Sequence, residues 1–504
     1  DRPGFVVNRF FVPWLNEACH LLDEGVASIA QIDSVAEKAF NIGMGPFALM
    51  NLTGPAIALH ATNYLSEQLN CLRYSGAKSL RETIENSGMW NIGKDTECDE
   101  DTAKIIRERL LGQVFAVSAQ IVEEEICSIE DVDRGAKVGL RWAEGPFEIA
   151  NKIGIRETIR MAKKYSELAE FKLPKWMEDK EELFEFNYID IDINGKIANI
   201  KLNRPEAMNA LNESLVEQLG SALDSLNSRD DIETIVLEGA GKAFVAGADV
   251  KFFVDKIHED AIKDIYEFTA YGHEVLNKLE NSEKTTIALT TGLALGGGLE
   301  LALSCDYRIG TRRSQFRFPE TNIGIFPGLG GTQRMPRICG IEAARYAILA
   351  GNFLDSETAF ALGIITHLVE PSDIPSLVDN VSILGKPENK YTGEPKDKNH
   401  PVSSFAMKFY KNENMSDIMS GNIPNDFQMD DKKVIRQMKS LGFTAPIALN
   451  IANQLLNDAI STGDDLDKGL KLELDQLDTI FGTKDALEGL SALIEGRRPK
   501  YQNI

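Results

Sequence analysis

The chain has 504 residues, more than a single hydrophobic core accommodates, so its length predicts about three domains. Its net charge of −23 argues against nucleic acid or an anionic membrane as the main partner, and no run of roughly 18 apolar residues predicts a membrane span. The six cysteines form no C-x-x-C pair, which predicts neither a metal site nor a disulfide framework and favours a cytoplasmic location.

The first part of the chain contains an internal repeat with an offset of one hundred residues. Gly45-Pro46-Phe47 recurs as Gly145-Pro146-Phe147. Other recurring positions are Arg9 and Arg109, Glu24 and Glu124, Ser28 and Ser128, and Asp33 and Asp133. Each copy has an amphipathic helix, a serine that can cap the next helix, and a Gly-Pro-Phe turn. We therefore predict two all-helical copies, at residues 1–95 and 96–178.

Two strings in the first copy resemble the tandem C-terminal domains of 3-hydroxyacyl-CoA dehydrogenases. They are Pro3-Gly4-Phe5-Val6-Val7-Asn8-Arg9 and Met44-Gly45-Pro46-Phe47. The resemblance implies that Asn8 lies beside the bound acyl group, although a cap or turn partner in a helix bundle is an equally open role. It also implies that NAD serves this dehydrogenase half.

The family's Rossmann domain would precede Pro3, yet no G-x-G-x-x-G motif follows a strand in residues 1–175. We therefore expect a fragment whose cofactor domain was removed by design or by proteolysis. The alternative is that residues 1–175 form a non-catalytic docking or dimerisation module.

After a charged linker at residues 166–185, the pattern changes to that of an α/β domain. Alternating residues from Tyr188 to Leu202, with Asn194-Gly195 between them, predict a β-hairpin. Strand and helix patterns then alternate, which predicts an α/β core at residues 184–384. Residues 385–430 are polar and weakly periodic, which predicts a surface insertion. A helical pattern returns over residues 431–504.

Two glycine-bearing strings, at residues 243–250 and 292–303, each follow a predicted strand and open a helix. Glycine lets the backbone approach a ligand closely, and the first N–H groups of a helix have no partner within it. Two such turns facing each other would offer two N–H donors to one oxygen. That arrangement stabilises an enolate oxyanion.

Two glutamates are candidates for acid–base chemistry. Glu300 is the only charged residue among residues 293–303, where an unpaired buried carboxylate would be costly. The alternative role for Glu300 is a cap or a salt bridge. Glu320 lies in a loop, residues 318–332, that is rich in proline and glycine, and such loops often hold functional groups. Alone, Glu320 would be read as a surface residue.

Together these strings resemble the enoyl-CoA hydratase (crotonase) family, over about residues 184–380 and again over 444–504. The telling strings are Ala-Gly-Ala-Asp, Gly-Gly-Gly-x-Glu-Leu-Ala and Pro-Glu-x-x-x-Gly-x-x-Pro-Gly-x-Gly-Gly-Thr. The resemblance implies an α/β crotonase domain, a ClpP/crotonase-like spiral, preceded by the all-α tandem repeat. It further implies association as a trimer.

The resemblance also implies residue roles. The N–H groups of Ala248 and Gly297 would form the oxyanion hole. The other implied roles are Ala246, Asp249 and Val250 along the path of the CoA adenine and pantetheine, Lys251 near the phosphates, Gly328 beside the water, and Arg497 in place of a CoA-binding lysine whose position Gly496 holds.

The expected reaction is the reversible hydration of a trans-2-enoyl-CoA to a 3-hydroxyacyl-CoA, without a cofactor. Glu300 would activate the water and Glu320 would protonate the α-carbon. Crotonase-fold isomerases typically keep the position of Glu320 and replace that of Glu300, so both glutamates together favour a hydratase over an isomerase. The order of the domains is similar to that of fused archaeal hydratase/dehydrogenases, which makes crotonyl-CoA the expected substrate.

Overall fold

The computed structural model describes residues 2–86 and 88–503. They divide into two compact units, Asp1–Phe186 and Asn187–Ile504, so the division falls just after the predicted charged linker. Among the described residues, no helix has the length and apolar character needed to cross a bilayer.

The first unit is built of helices throughout its described part. Its helices are α1 Val7–Asp23, α2 Ile29–Phe40, α3 Pro46–Thr53, α4 Pro55–Leu69, α5 Lys78–Asn86, α6 Glu100–Glu123, α7 Ile129–Arg134, α8 Pro146–Ile153, α9 Ile155–Leu168 and α10 Lys175–Glu178. Helices α1 and α6, the first of each copy, pack against each other. The core of the unit includes the rings of Trp14, Phe40 and Trp142, and the last two are 4.8 Å apart.

The repeated arginine and glutamate form ion pairs from one copy to the other. Arg9 Nη2 lies 2.7 Å from Glu124 Oε1, and Arg109 Nη2 lies 3.1 Å from Glu24 Oε2. Arg109 also reaches the buried Glu17 at 2.9 Å. The repeat in the sequence therefore encodes a reciprocal contact that joins the two copies.

The repeated aspartate holds the helix that follows each Gly-Pro-Phe turn. Asp33 accepts hydrogen bonds from the N–H groups of Phe47 and Ala48, at 2.8 and 2.9 Å. Asp133 does the same for Phe147 and Glu148 at the same distances. These N–H groups belong to the first turns of α3 and α8, where the helix itself supplies no acceptor. Burial raises the pKa of Asp133 to about 8.

The second unit contains two sheets. Its strands are β1 Ile189–Asn194, β2 Ile197–Leu202, β3 Thr234–Gly239, β4 Ala243–Ala246, β5 Thr285–Thr290, β6 Leu293–Leu295, β7 Tyr307–Gly310, β8 Gln315–Arg317, β9 Leu354–Asp355 and β10 His367–Leu368. The larger sheet has the order β1-β2-β3-β5-β7-β10, and the smaller has the order β4-β6-β8-β9. The predicted hairpin is confirmed, because β1 and β2 pair antiparallel around Asn194 and Ile197.

Successive strands from β3 to β8 belong alternately to the larger and the smaller sheet, and this alternation gives the chain its spiral path. The chain adds a strand to the larger sheet, then one to the smaller sheet, then a helix, and it does so at β3-β4, β5-β6 and β7-β8. The helices of the unit are α11 Glu213–Asn227, α12 Val250–His258, α13 Ile262–Glu280, α14 Gly297–Ser304, α15 Gly331–Cys339, α16 Ile341–Ile348, α17 Ser356–Leu362, α18 Ile374–Leu384, α19 Pro401–Phe409, α20 Met415–Met419, α21 Lys432–Leu441, α22 Pro446–Ser461, α23 Leu466–Leu474, α24 Leu477–Phe481 and α25 Lys484–Ile494.

The segment at residues 385–430, which the sequence predicts as a surface insertion, also contributes to the interior. Phe409 and Tyr410 are buried at the end of α19. Lys390 Nζ lies 2.8 Å from Glu280 Oε1, and the hydroxyl of Tyr391 donates to the same oxygen. The polar composition of the segment predicts exposure to water. The segment can nevertheless contribute to the interior, because the charges of Lys390 and Glu280 are paired.

We expect Asp133→Ala to lower the free energy of unfolding of the first unit by about 2 kcal/mol, because two helix N–H groups lose their acceptor. All four tryptophans lie before residue 187, so tryptophan fluorescence during urea unfolding reports on this unit. The exposed Asp95, substituted by alanine, is the control and should leave the midpoint unchanged. Equal midpoints for the two variants would contradict this account of the repeat.

Candidate active site

The three parallel strands of the smaller sheet bring the predicted site together. Ala246 at the end of β4 pairs with Leu295 at the end of β6, and Leu295 pairs with Arg317 at the end of β8. The three strands therefore end side by side, and the residues that follow them meet at one edge of the sheet. Those residues carry the two glycine-bearing turns and the Pro319-Glu320 loop.

A cavity of about 480 Å³ lies at this edge of the sheet. Both predicted catalytic glutamates, Glu300 and Glu320, line it, together with Ala248, Gly297 and Gly328. The rest of its wall is largely apolar and includes Phe253, Phe268, Leu477, Ile480, Phe481, Leu490 and Leu493. The structure thus brings residues from six separate segments of the chain to one cavity.

Glu300 lies in the first turn of α14 and is only 2% exposed. Its Oε1 accepts hydrogen bonds from the N–H groups of Leu329 and Gly331, at 2.8 and 2.7 Å. Burial and the negative charges of Glu320 and Glu473 raise the pKa of Glu300, whereas the two N–H donors favour its ionised form. The predicted alternative, a salt bridge, is not what holds Glu300, since backbone amides do.

Glu320 begins a short 3₁₀ turn and is 6% exposed. Its Oε2 has no hydrogen-bond partner within the described part of the chain, and its other oxygen faces Gly296. Burial raises the pKa of Glu320 to about 8. A buried carboxyl that is neutral at neutral pH and has a free oxygen can donate a proton to a ligand.

The two predicted oxyanion-hole residues face each other. A Cβ atom on Gly297 would lie 3.9 Å from the backbone nitrogen of Ala248. Gly297 is the first residue of α14, where the N–H has no acceptor inside the helix. Both residues line the cavity, so their N–H groups can address one oxygen atom of a ligand.

The residues predicted to contact CoA differ in their surroundings. Ala246 and Val250 line the cavity. The carboxylate of Asp249 forms an ion pair with Arg204 at 3.1 Å, and Lys251 is exposed at the start of α12. Asp249 is therefore paired with Arg204 and is not among the residues that line the cavity.

Arg497 lines the cavity but already has acidic partners. Its guanidinium donates two hydrogen bonds to Glu488, at 2.6 and 2.8 Å, and one to Glu495. A guanidinium paired with two carboxylates is a poor phosphate ligand, because the phosphate would have to displace them. The expectation that Arg497 replaces a CoA-binding lysine therefore gains no support from its contacts.

Asn8 lies in the first unit, in the first turn of α1. It is exposed and lines a separate cavity of about 510 Å³, together with Val12, Tyr64, Leu65 and Gln68. This placement is compatible with contact to an acyl group.

Two buried ionisable residues behind the active-site loop, His273 in α13 and Glu473 in α23, were not predicted from the sequence. Glu473 accepts a hydrogen bond from the N–H of Gly330 at 2.5 Å. One signal could have revealed it: Glu473 stands between Leu470 and Leu477 at helical spacing, where an apolar residue is expected. His273 gives no comparable signal.

Comparison with known proteins agrees with this geometry. The family model described as enoyl-CoA hydratase/isomerase matches residues 197–503, which is more than half of the chain. The chain belongs to the enoyl-CoA hydratase/isomerase family. The model for the C-terminal domain of 3-hydroxyacyl-CoA dehydrogenase matches twice, at residues 4–91 and 106–189, in agreement with two helical copies.

Curated relatives match about three fifths of the chain. The chain is 29% identical to a crotonyl-CoA hydratase of Syntrophomonas wolfei, over 61% of this chain and 94% of the relative. It is 28% identical to a short-chain-enoyl-CoA hydratase of Clostridium acetobutylicum, over 62% and 97%. It is 30% identical to the mitochondrial methylglutaconyl-CoA hydratase of Mus musculus, over 61% and 80%.

Solved structures share the fold. A carnitinyl-CoA dehydratase from Mycobacterium thermoresistibile matches with a TM-score of 0.54 and 21% identity, over 63% of this chain and 92% of that chain. An enoyl-CoA hydratase from Rhodobacter sphaeroides matches with a TM-score of 0.53 and 22% identity, over the same shares. The crotonase fold after a helical dehydrogenase-type region is therefore confirmed.

Gly296 offers a test of the position of Glu320. A Cβ atom on Gly296 would lie 2.2 Å from Glu320 Oε1, so Gly296→Ala should displace the carboxyl and lower kcat for hydration of an enoyl-CoA by about a hundredfold. Gly195→Ala is the matched control, since Gly195 also has a positive φ but has open space around it. Similar loss of activity in both variants would show that backbone strain, and not the carboxyl, is responsible.

Proposed function

We propose that Glu300 and Glu320 together hydrate a short trans-2-enoyl-CoA, with crotonyl-CoA as the substrate. Membership of the family, together with the hydratases among its relatives, makes the protein an enoyl-CoA hydratase, a hydro-lyase. The observation that carries the assignment of residues is the burial of both carboxyls in one cavity, opposite the N–H groups of Ala248 and Gly297.

The two glutamates differ in the charge that their surroundings favour. Two buried like charges side by side are costly, so the pair holds one proton at neutral pH. Glu300 accepts hydrogen bonds from two backbone N–H groups, which favour its ionised form. Oε2 of Glu320 has no hydrogen-bond donor among the described residues. We therefore assign the proton to Glu320.

The reaction follows from this charge distribution. Glu300 removes a proton from a water molecule, whose oxygen bonds to the β-carbon, and Glu320 gives its proton to the α-carbon. The N–H groups of Ala248 and Gly297 donate hydrogen bonds to the thioester oxygen and stabilise the negative charge that develops on it. Proton exchange between the two carboxyls restores the starting state, and the roles reverse in dehydration. Because both backbone N–H groups donate their hydrogen bonds to Oε1 of Glu300, we assign water activation to Oε2 of the same carboxylate.

The need for two carboxyls separates hydration from isomerisation. Moving a double bond within an acyl chain can be done by one acid–base group, whereas adding water requires one group for the water and another for the α-carbon. Glu300 and Glu320 both line the cavity, which favours the hydratase.

The choice of a short acyl chain is supported by the relatives, two of which are named for crotonyl-CoA and short-chain enoyl-CoA. Within the proposal, the CoA pantetheine passes Ala246 and Val250, and the backbone of Gly328 helps to hold the water. Trimeric association and a cytoplasmic location complete the proposal. Sedimentation velocity tests the association, since a monomer would contradict it.

We propose that the first unit belongs to a 3-hydroxyacyl-CoA dehydrogenase that oxidises the product of hydration with NAD. Its residues do not themselves fit NAD, because residues 2–86 and 88–186 contain no strand and hence no βαβ crevice for a dinucleotide. Asn8 would contact the acyl group. Formation of NADH from 3-hydroxybutyryl-CoA by this chain alone would contradict the need for a separate dinucleotide-binding domain.

Glu300→Gln and Glu320→Gln test the assignment of residues. Each should lower kcat for hydration of crotonyl-CoA by about a hundredfold or more, because one of the two proton transfers loses its group. Glu274→Gln, an exposed substitution in α13, is the control and should keep full activity. Retained activity in either active-site variant would overturn the assignment. Isomerisation of a trans-3-enoyl-CoA without any hydration would favour the isomerase instead.

The pH dependence of kcat should follow Glu320. Its pKa is raised to about 8, so Glu320 holds its proton below that pH and loses it above. Hydration should therefore decline as the pH rises through about 8. A rate that rises across the same range would show that Glu320 does not supply the proton.

A further inference from the structure

The loop that holds Glu300 is itself held by a second buried carboxylate. We call residues 328–332 the glycine turn. Within it, the N–H groups of Leu329 and Gly331 donate to Glu300, and the intervening N–H of Gly330 donates to Glu473. The hydroxyl of Thr332 donates to the other oxygen of Glu473. Successive residues of the turn thus bond alternately to two carboxylates.

Glu473 is fully buried, with 0% exposure. A buried carboxylate destabilises the folded protein unless it has hydrogen-bond partners such as these. Glu473 projects from α23, far along the chain from the strands that form the site. Gly330 has a φ of 96°, a conformation that glycine adopts readily, and this conformation turns its N–H away from Glu300 and toward Glu473.

The carbonyl groups of the glycine turn are also held. His273 Nε2 lies 2.7 Å from the carbonyl oxygen of Gly328, and since a carbonyl only accepts, Nε2 carries the hydrogen. Arg334 Nη1 donates to the carbonyl of Leu329 at 3.2 Å. The ionisable groups around Glu473 are therefore His273 from α13, Glu300 from α14, Glu320 from its loop, and Arg334 from α15.

We propose that Glu473 is a positioning residue for hydration. It fixes the glycine turn so that two N–H groups of the turn point at Glu300. It also places a negative charge behind the catalytic pair. Glu473 is not among the residues that line the cavity. The inference rests on the proposed function of Glu300 and Glu320.

The charge on Glu473 gives the proposal a signature that a purely structural residue lacks. Burial is the largest cause of the raised pKa of both Glu300 and Glu320, and the negative charge of Glu473 is a smaller cause in the same direction. Removing that charge should lower the pKa of the pair. The decline of kcat at alkaline pH should then begin at a lower pH.

Glu473→Gln tests this directly, because the amide keeps the shape and one acceptor for Gly330 but loses the charge. It should lower kcat for crotonyl-CoA by about tenfold or more while KM changes little, and it should move the alkaline decline to lower pH. Thr332→Val is the matched control. It removes one hydrogen bond to Glu473 and keeps the charge, so it should leave the position of the decline unchanged.

An unchanged kcat and alkaline decline in Glu473→Gln would overturn the proposal. If that variant does not fold, Glu473→Asp replaces it: the charge stays but the carboxylate is one methylene short, so kcat should fall while the decline keeps its position. Wild-type kcat in Glu473→Asp would equally overturn it. Activity retained in Glu300→Gln or Glu320→Gln would instead count against the proposed function, so the two failures are distinguishable.

Discussion

The repulsion between two carboxylates buried in one cavity is the constraint on which the site depends. Glu300 and Glu320 are both almost fully removed from water, and neither forms an ion pair with a described residue, although Arg317, which also lines the cavity, partly offsets the effect of burial on the pKa of Glu320. We propose that such a pair keeps one proton between its two members and that backbone donors determine which carboxyl holds it. The amides of the glycine turn favour a charged Glu300, and the apolar wall favours a neutral Glu320. In the mechanism that we propose, an acid and a base thus arise from two identical side chains.

The fold serves this constraint through the alternation between two sheets. Because β4, β6 and β8 end side by side in the smaller sheet, two glycine-bearing turns and the Glu320 loop meet at one edge. The helices after residue 443 then close the cavity with apolar side chains such as Leu477 and Phe481, and α23 adds Glu473 behind the glycine turn. The strands thus position the two glutamates that we propose as the reacting groups, and the C-terminal helices add apolar side chains and a carboxylate around them.

Much of this could be predicted from local sequence. Glu300 stands out as a lone charge in an apolar run, the hairpin has its Asn-Gly turn, and the repeated Arg9 and Glu124 belong to strings that recur at a fixed offset. What could not be predicted depends on contacts between distant segments. The spacing of Glu473 between Leu470 and Leu477 indicates a buried position but not its partners, and Lys390 lies in a polar segment yet is only 10% exposed, because the partners of both residues come from elsewhere in the chain. Arg497 was expected in place of a CoA-binding lysine, but its guanidinium forms an ion pair with Glu488, which lies nine residues earlier in the chain.

The central claim is that the pair carries one proton at neutral pH and that Glu320 holds it. Infrared difference spectroscopy of the folded protein measures this most directly, because the carbonyl stretch of a neutral carboxyl is separate from that of a carboxylate. Subtracting the spectrum of Glu320→Gln from that of the wild type cancels other buried acids, such as Asp133. The account predicts that the difference contains one neutral carboxyl at neutral pH, which disappears as the pH rises through about 8. A difference spectrum that contains only a carboxylate at neutral pH would contradict it.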